Sequence, residues 1–123
     1  MTGTFDELVQ RAAQARRDHR HEDARRELVE AVALGRDSGE ARELAAALAA
    51  LGQIERDLHH LDEARRHYEE AVSLYRSAGD APRLAHTVRH LGDILRHLHD
   101  KVTGESCYQE ALAIYRNDKR LPR

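Results

Sequence analysis

The 123-residue chain is poor in the residues that crosslink, kink or anchor a fold. Its one cysteine, Cys107, excludes an internal disulfide. The longest uncharged apolar stretch, Leu44 to Leu51, is far too short to span a bilayer. No charged and then apolar leader precedes the first helical pattern, and together with the lone thiol this points to the cytoplasm. Neither sign of charge dominates: 20 basic residues face 22 acidic ones, leaving a formal net charge of -2. No broad field therefore draws the chain to nucleic acid or to a membrane, and neither is expected as a partner. All basic residues but Lys101 and Lys119 are arginine, a bias that carries no weight for nucleic-acid binding. The chemistry of catalysis is missing as well. There is no His-Glu-x-x-His, no glycine-rich phosphate loop and no combination of nucleophile, base and orienting acid, so neither enzymatic activity nor a cofactor is expected.

What the chain has is a period. Forty residues separate Gly52 from Gly92, Tyr68 from Tyr108, Ala71 from Ala111, Tyr75 from Tyr115 and Arg76 from Arg116. Forty residues earlier, Ala24 lies under Ala64, Leu28 under Tyr68, Ala31 under Ala71 and Leu34 under Leu74. Three copies of one unit follow. A period of this size marks a supersecondary unit that buries its apolar face only by stacking on its neighbours, and stacked units make extended surfaces rather than closed pockets.

Two prolines and seven glycines punctuate the chain where helices should stop. Gly39 and Gly79 are such stops; Asp80 is a cap for a helix begun by Ala81 and Pro82, and Asp62 for one begun by Glu63. Six helices are predicted at about 4–18, 22–37, 40–59, 62–78, 80–99 and 103–118. Leu44, Leu48, Leu51, Ile54 and Leu58 recur at helical spacing in the third, and Leu84, Val88, Leu91, either Ile94 or Leu95, and Leu98 in the fifth. No segment alternates with period two. Short connections make each pair antiparallel, giving one all-α domain.

Leu51-Gly52 followed by Ala64, Tyr68 and Ala71 resembles the tetratricopeptide repeat, with a Leu-Gly pair in helix A and then Ala, an aromatic and Ala in helix B. Leu91-Gly92, Tyr108 and Ala111 repeat the match with Gly104 in place of the first Ala, and a degenerate first copy keeps Ala24 and Ala31. The resemblance covers about residues 5–118. The six residues beyond the usual 34 are similar to the longer repeats of kinesin light chains and many bacterial regulators. A period near forty also suggests HEAT or armadillo units, but the small-x-x-x-Tyr-x-x-Ala spacing argues against them. The resemblance implies a right-handed superhelical solenoid of three helix-turn-helix repeats, at about 5–44, 45–84 and 85–123. Gly52 and Gly92 then let helix A touch helix B, with Tyr68 and Tyr108 filling the gap beside them.

The resemblance also implies that the A helices line a concave groove that takes a peptide or helix of a protein partner. The groove positions are Asp6, Gln10, Ala13 and Arg17 in the first copy, Ala46, Ala49, Ala50, Gln53 and Asp57 in the second, and His86, Arg89, His90, Asp93, Arg96 and His97 in the third. His86, His90, Asp93 and His97 form one stripe along a helix. With Arg89 and Arg96 beside it, the stripe suits an acidic peptide or a carboxylate; the alternative is a merely solvated face. The Lys-and-Asn carboxylate clamp of chaperone-binding relatives is not reproduced. From Leu44 to Leu51 the middle A helix is apolar on every side, so its groove side is read as small and apolar, close enough for a partner helix.

Nine histidines raise a second reading, a metal- or pH-responsive sensor on the His stripe. His86 and His90 have chelating spacing, but a zinc site needs three or four convergent ligands and one helix rarely supplies them, so no metal is expected. His19, His21, His59, His60 and His99 fall at the A-to-B turns and are read as solvent-facing.

Self-association is also expected. The face carrying Tyr68, Val72 and Tyr75 is covered by the following A helix, whereas the equivalent Tyr108, Leu112 and Tyr115 are followed only by Asn117 to Arg123, too short and polar for a capping helix. A two-fold homodimer is the expected solution, the alternatives being a larger hetero-complex or a dimer made through the apolar surface of the middle A helix.

Overall fold

The structure is a computed structural model that describes residues 3–118. It contains α1 (Phe5–Arg17), α2 (His21–Ser38), α3 (Ala41–Asp57), α4 (Leu61–Ala78), α5 (Ala81–His97) and α6 (Lys101–Asn117). No strand occurs among the described residues. Helices α1 and α2, α3 and α4, and α5 and α6 pack as pairs, and successive pairs stack through α2 on α3 and α4 on α5. This is the three-repeat solenoid that the period implied. Repeats phased at residues 45 and 85 begin one turn inside α3 and α5.

The helix ends explain where sequence and structure differ. Helices α2 and α4 stop at Gly39 and Gly79, both left-handed, with φ of 72° and 68°. The A helices stop without glycine. His19, His59 and His99, forty residues apart, take the left-handed position with φ of 59°, 64° and 65°. Each turn closes by two backbone bonds: at the second turn His59 donates to the Arg56 carbonyl (2.9 Å) and His60 to the Glu55 carbonyl (2.7 Å). This pattern satisfies the last helical carbonyls. Helices α1, α3 and α5 accordingly end at 17, 57 and 97 rather than 18, 59 and 99.

At the starts, Thr4 and Glu7 form a reciprocal capping box and Asp80 accepts from the Arg83 amide. Asp100 accepts from the Thr103 amide, so α6 begins at Lys101, two residues before its expected start. Asp62 does not cap. Helix α4 opens at Leu61, and Asp62 instead sits in the first turn, where its charge favours the positive end of the helix.

A Cβ built on Gly52 would lie 3.0 Å from the Tyr68 ring, and one on Gly92 would lie 2.9 Å from that of Tyr108. The missing side chain is therefore what lets each tyrosine pack closely against its A helix. Ala24, Ala31, Ala64, Ala71 and Ala111 are buried at the crossings, and Tyr68, Val72 and Tyr75 are buried beneath α5 with Leu84, Val88 and Leu91.

Candidate binding groove

The A helices carry two depressions with different chemistry. The first, of about 590 Å³, lies between α1 and α3 with the start of α2 at its edge. Val9, Ala12, Leu28, Ala50 and Ile54 give it an apolar floor, and Ala13, Arg17, Gln53 and Asp57 stand at its rim. Its charges are already engaged: Asp57 accepts from Arg16 Nε (2.9 Å), and Arg17 donates to Gln14 (2.8 Å). The second, of about 400 Å³, is lined by Arg56 of α3, Asp93, Arg96 and His97 of α5, and Lys101 and Tyr108 of α6. Four basic side chains meet one carboxylate there. Asp93 accepts the Tyr108 hydroxyl, and the Arg96 guanidinium lies over the Tyr108 ring, 5.9 Å from its centre.

The expected groove residues thus divide. Ala13, Arg17, Ala50, Gln53 and Asp57 come together in the first depression, and Asp93, Arg96 and His97 in the second. Asp6, Gln10, Ala46, His86 and Arg89 are exposed, while Ala49 and His90 are half-buried; none of these seven lines either depression. The apolar middle helix divides its alanines between the core and the open side. Ala45 and Ala47 are fully buried in the core, so only Ala46, Ala49 and Ala50 are left on the open side.

The His stripe is not a row of equivalent charges. The His86 and His90 rings meet edge to face with centres 4.4 Å apart, and His90 stacks on Tyr68 at 6.1 Å. Burial, then the charges of His86 and Arg89, pushes His90 below its ordinary range; burial and then Arg89 does the same to His86. His90 Nδ1 is buried without a hydrogen-bond partner, and Asp93 Oδ2 is 4.0 Å away. His86 and His90 are thus each less readily charged than an ordinary histidine. Among the described residues no group of three or more His, Cys, Asp or Glu side chains is arranged to hold a metal ion.

Two features escaped the sequence reading. Arg56 belongs to a ladder, Arg16, Arg56 and Arg96, that recurs every forty residues in the last turn of each A helix. The period would have found it. Glu55 is the other, 1 % exposed in the core of α3, where the register puts Ala15 and Leu95. Arg25 of α2 (3.1 Å) and His60 Nδ1 (2.8 Å) both reach Glu55 Oε1, and His67 of α4 lies 3.7 Å from Oε2. Burial pushes this carboxyl up, but the His60 and Arg25 hydrogen bonds and the Arg25 charge outweigh it and hold it below the usual carboxylate range. Two of the turn histidines are therefore not simply solvent-facing: His60 holds Glu55, and His21 is half-buried 3.5 Å from Asp57.

Of the expected self-association residues, Leu112 is 40 % exposed where its equivalent Val72 is 7 % exposed. Tyr115 and Tyr108 are half-buried, Tyr108 because its ring lies on Gly92. Residues 119–123 of the tail, and with them Lys119, lie outside the described residues.

A family model described as tetratricopeptide repeat matches residues 7–77, more than half of the chain. No curated protein matches it. Among solved structures, the crystal structure of BtubC (BKLC) from P. vanneervenii superposes with a TM-score of 0.85 at 20% sequence identity, over 97% of this chain and 50% of that one. The chain spans half the length of that protein, and at this identity the likeness shows the fold. Among the described residues no helix is long and apolar enough to cross a membrane.

Proposed function

The chain belongs to the tetratricopeptide repeat family, and from that premise we propose that it is an interaction scaffold that holds an acidic segment of a partner protein along its A helices. Repeats of this family mediate protein–protein contacts in general. The observation that carries the finer reading is the second depression, where Arg56, Arg96, His97 and Lys101 converge and the one lining carboxylate, Asp93, is already bonded to Tyr108. A carboxylate there gains charge-assisted hydrogen bonds from arginines held by two different helices. The apolar floor between α1 and α3 takes a hydrophobic side chain of the same segment. In this reading the protein works in the cytoplasm, without catalysis or cofactor, and its partner is a protein rather than nucleic acid or membrane.

A fluorescently labelled glutamate-rich peptide with one leucine, compared with its glutamine counterpart by anisotropy, tests this. The acidic peptide is expected to bind more tightly. Replacing Arg56 and Arg96 with Ala should weaken it by about 1.5–3 kcal/mol for each charge-assisted hydrogen bond lost. Arg89→Ala should do less, because Arg89 lines neither depression. Equal binding of the two peptides, or affinity unchanged in the double variant, contradicts the proposal.

A further inference from the structure

The stacking follows a charge register that is left open on α6. Arg36 of α2 is paired with Glu70 of α4 (2.6 and 2.8 Å), and Arg76 of α4 with Glu110 of α6. Arg116 is the next member of the series and is exposed, with no carboxylate opposite it among the described residues. At the other end of the same face, Glu105 occupies the register of Arg25 and Arg65. Arg25 reaches the following A helix at Glu55, whereas Arg65 pairs with Asp62 of its own helix (3.8 Å); Arg25 shows that this register can reach the next unit. The sign is thus reversed at the repeat that no further helix covers among the described residues. On α6, Glu105, Tyr108, Leu112, Tyr115 and Arg116 form a single stripe, acidic at its start, apolar in its middle and basic at its end.

The opposite end of the solenoid does not complement this stripe. Leu44, Ala47, Leu51 and Ile54 of α3 face the preceding unit: Leu44 lies against Gly35, Ala47 clusters with Leu8 and Ala31, and Leu51 and Ile54 cluster with Ala12, Ala15, Ala24 and Leu28. Forty residues earlier, the same four positions are Thr4, Glu7, Arg11 and Gln14 at the α1 end, all exposed. Head-to-tail stacking would set the apolar stripe of α6 against this polar row.

We propose that a second copy of the chain covers α6 by a two-fold contact in which two α6 helices pack antiparallel, Leu112 and Tyr115 against their counterparts and Glu105 of each against Arg116 of the other. An antiparallel crossing brings the acidic start of one stripe to the basic end of the other, and the two-fold axis makes that pair twice. The same face closed on itself gives a dimer and stops there.

Sedimentation equilibrium of the full chain at about 100 μM should show a dimer. Glu105→Arg and Arg116→Glu should each weaken it by about tenfold through paired like charges, and the two together should restore it, because the swap leaves the contact self-complementary. Leu112→Glu should give a monomer. Far-UV circular dichroism should be unchanged in all four variants, since the substituted side chains are exposed. A wild-type monomer, growth beyond the dimer with concentration, a double swap no tighter than the single ones, or a dimer that survives Leu112→Glu would each overturn the proposal. The acidic-peptide reading rests on Arg56, Arg96, His97 and Lys101, none of which is substituted here, and is tested separately.

Discussion

Glu55 is a carboxylate held in an apolar position by its neighbours' donors. Read along α3 it is one polar residue after Ile54, and nothing marks it; read across the register, between Ala15 and Leu95, it is an anomaly. A buried ion pair is weak evidence for stability, because the desolvation of both charges offsets their attraction. Glu55→Leu, which restores the side chain of the third repeat, is therefore expected to be neutral or stabilising. Arg25→Ala should destabilise by about 1–3 kcal/mol, since it removes a donor from a carboxylate that stays buried. Urea titration checks both, and a Glu55→Leu variant much less stable than Arg25→Ala would contradict the reasoning. The histidines fix a second residue-scale expectation. Burial lowers His67 first, and the Arg66 charge adds to it against the opposing charge of Glu55. His86 and His90 are lowered by burial and then by neighbouring cations. The sign follows from linkage. A histidine whose folded value lies below its ordinary one takes its proton more readily in the unfolded chain, so its contribution is complete above about pH 6.5 and is lost as pH falls from there. The lowered carboxyls of Glu55 and Glu70 contribute above their ordinary range and lose that contribution as pH falls through their folded values. Stability should therefore decline in two stages, beginning near pH 6.5, and His67→Gln with His90→Gln should flatten the first. A urea midpoint that is constant from about pH 7.5 to 5 would contradict this.

At the scale of the helix, packing and turn geometry compete with local propensity. Alanine is the better helix former by about 1 kcal/mol, yet Gly52→Ala and Gly92→Ala are expected to destabilise by about 1–3 kcal/mol, because the added methyl meets a tyrosine ring, Tyr68 packed in the core and Tyr108 held by Asp93 and Arg96. Thermal unfolding of the two variants checks this, and a rise in melting temperature for both would contradict it. These glycines were legible in the sequence because they recur forty residues apart in helical segments. The ends of the A helices were less so. Glycine marks Gly39 and Gly79, but His19, His59 and His99 make the same left-handed turn with an ordinary side chain, and what stabilises it is a pair of backbone bonds that no residue type announces.

For the whole molecule, the period specifies the stacking order, since each unit must bury its apolar face against the next. The fold was therefore readable almost entirely from the spacing of Gly, Ala and Tyr. The groove was readable in part. Its helical faces follow from the register, but which side chains converge depends on the relation between neighbouring helices: Arg56, on α3, joins Arg96 and His97 of α5 and Lys101 and Tyr108 of α6, and a reading made one helix at a time does not bring them together. Binding through this face should weaken with added salt, because its cations are partly exposed and screened. The most direct test of the central claim is an amide NMR titration of the isotope-labelled protein with the glutamate-rich peptide. Shift changes are expected to be concentrated around Arg56, Asp93, Arg96, His97, Lys101 and Tyr108 and to disappear in the Arg56→Ala, Arg96→Ala double variant. Changes centred on α2 and α4, or a pattern that the double variant leaves intact, would contradict it.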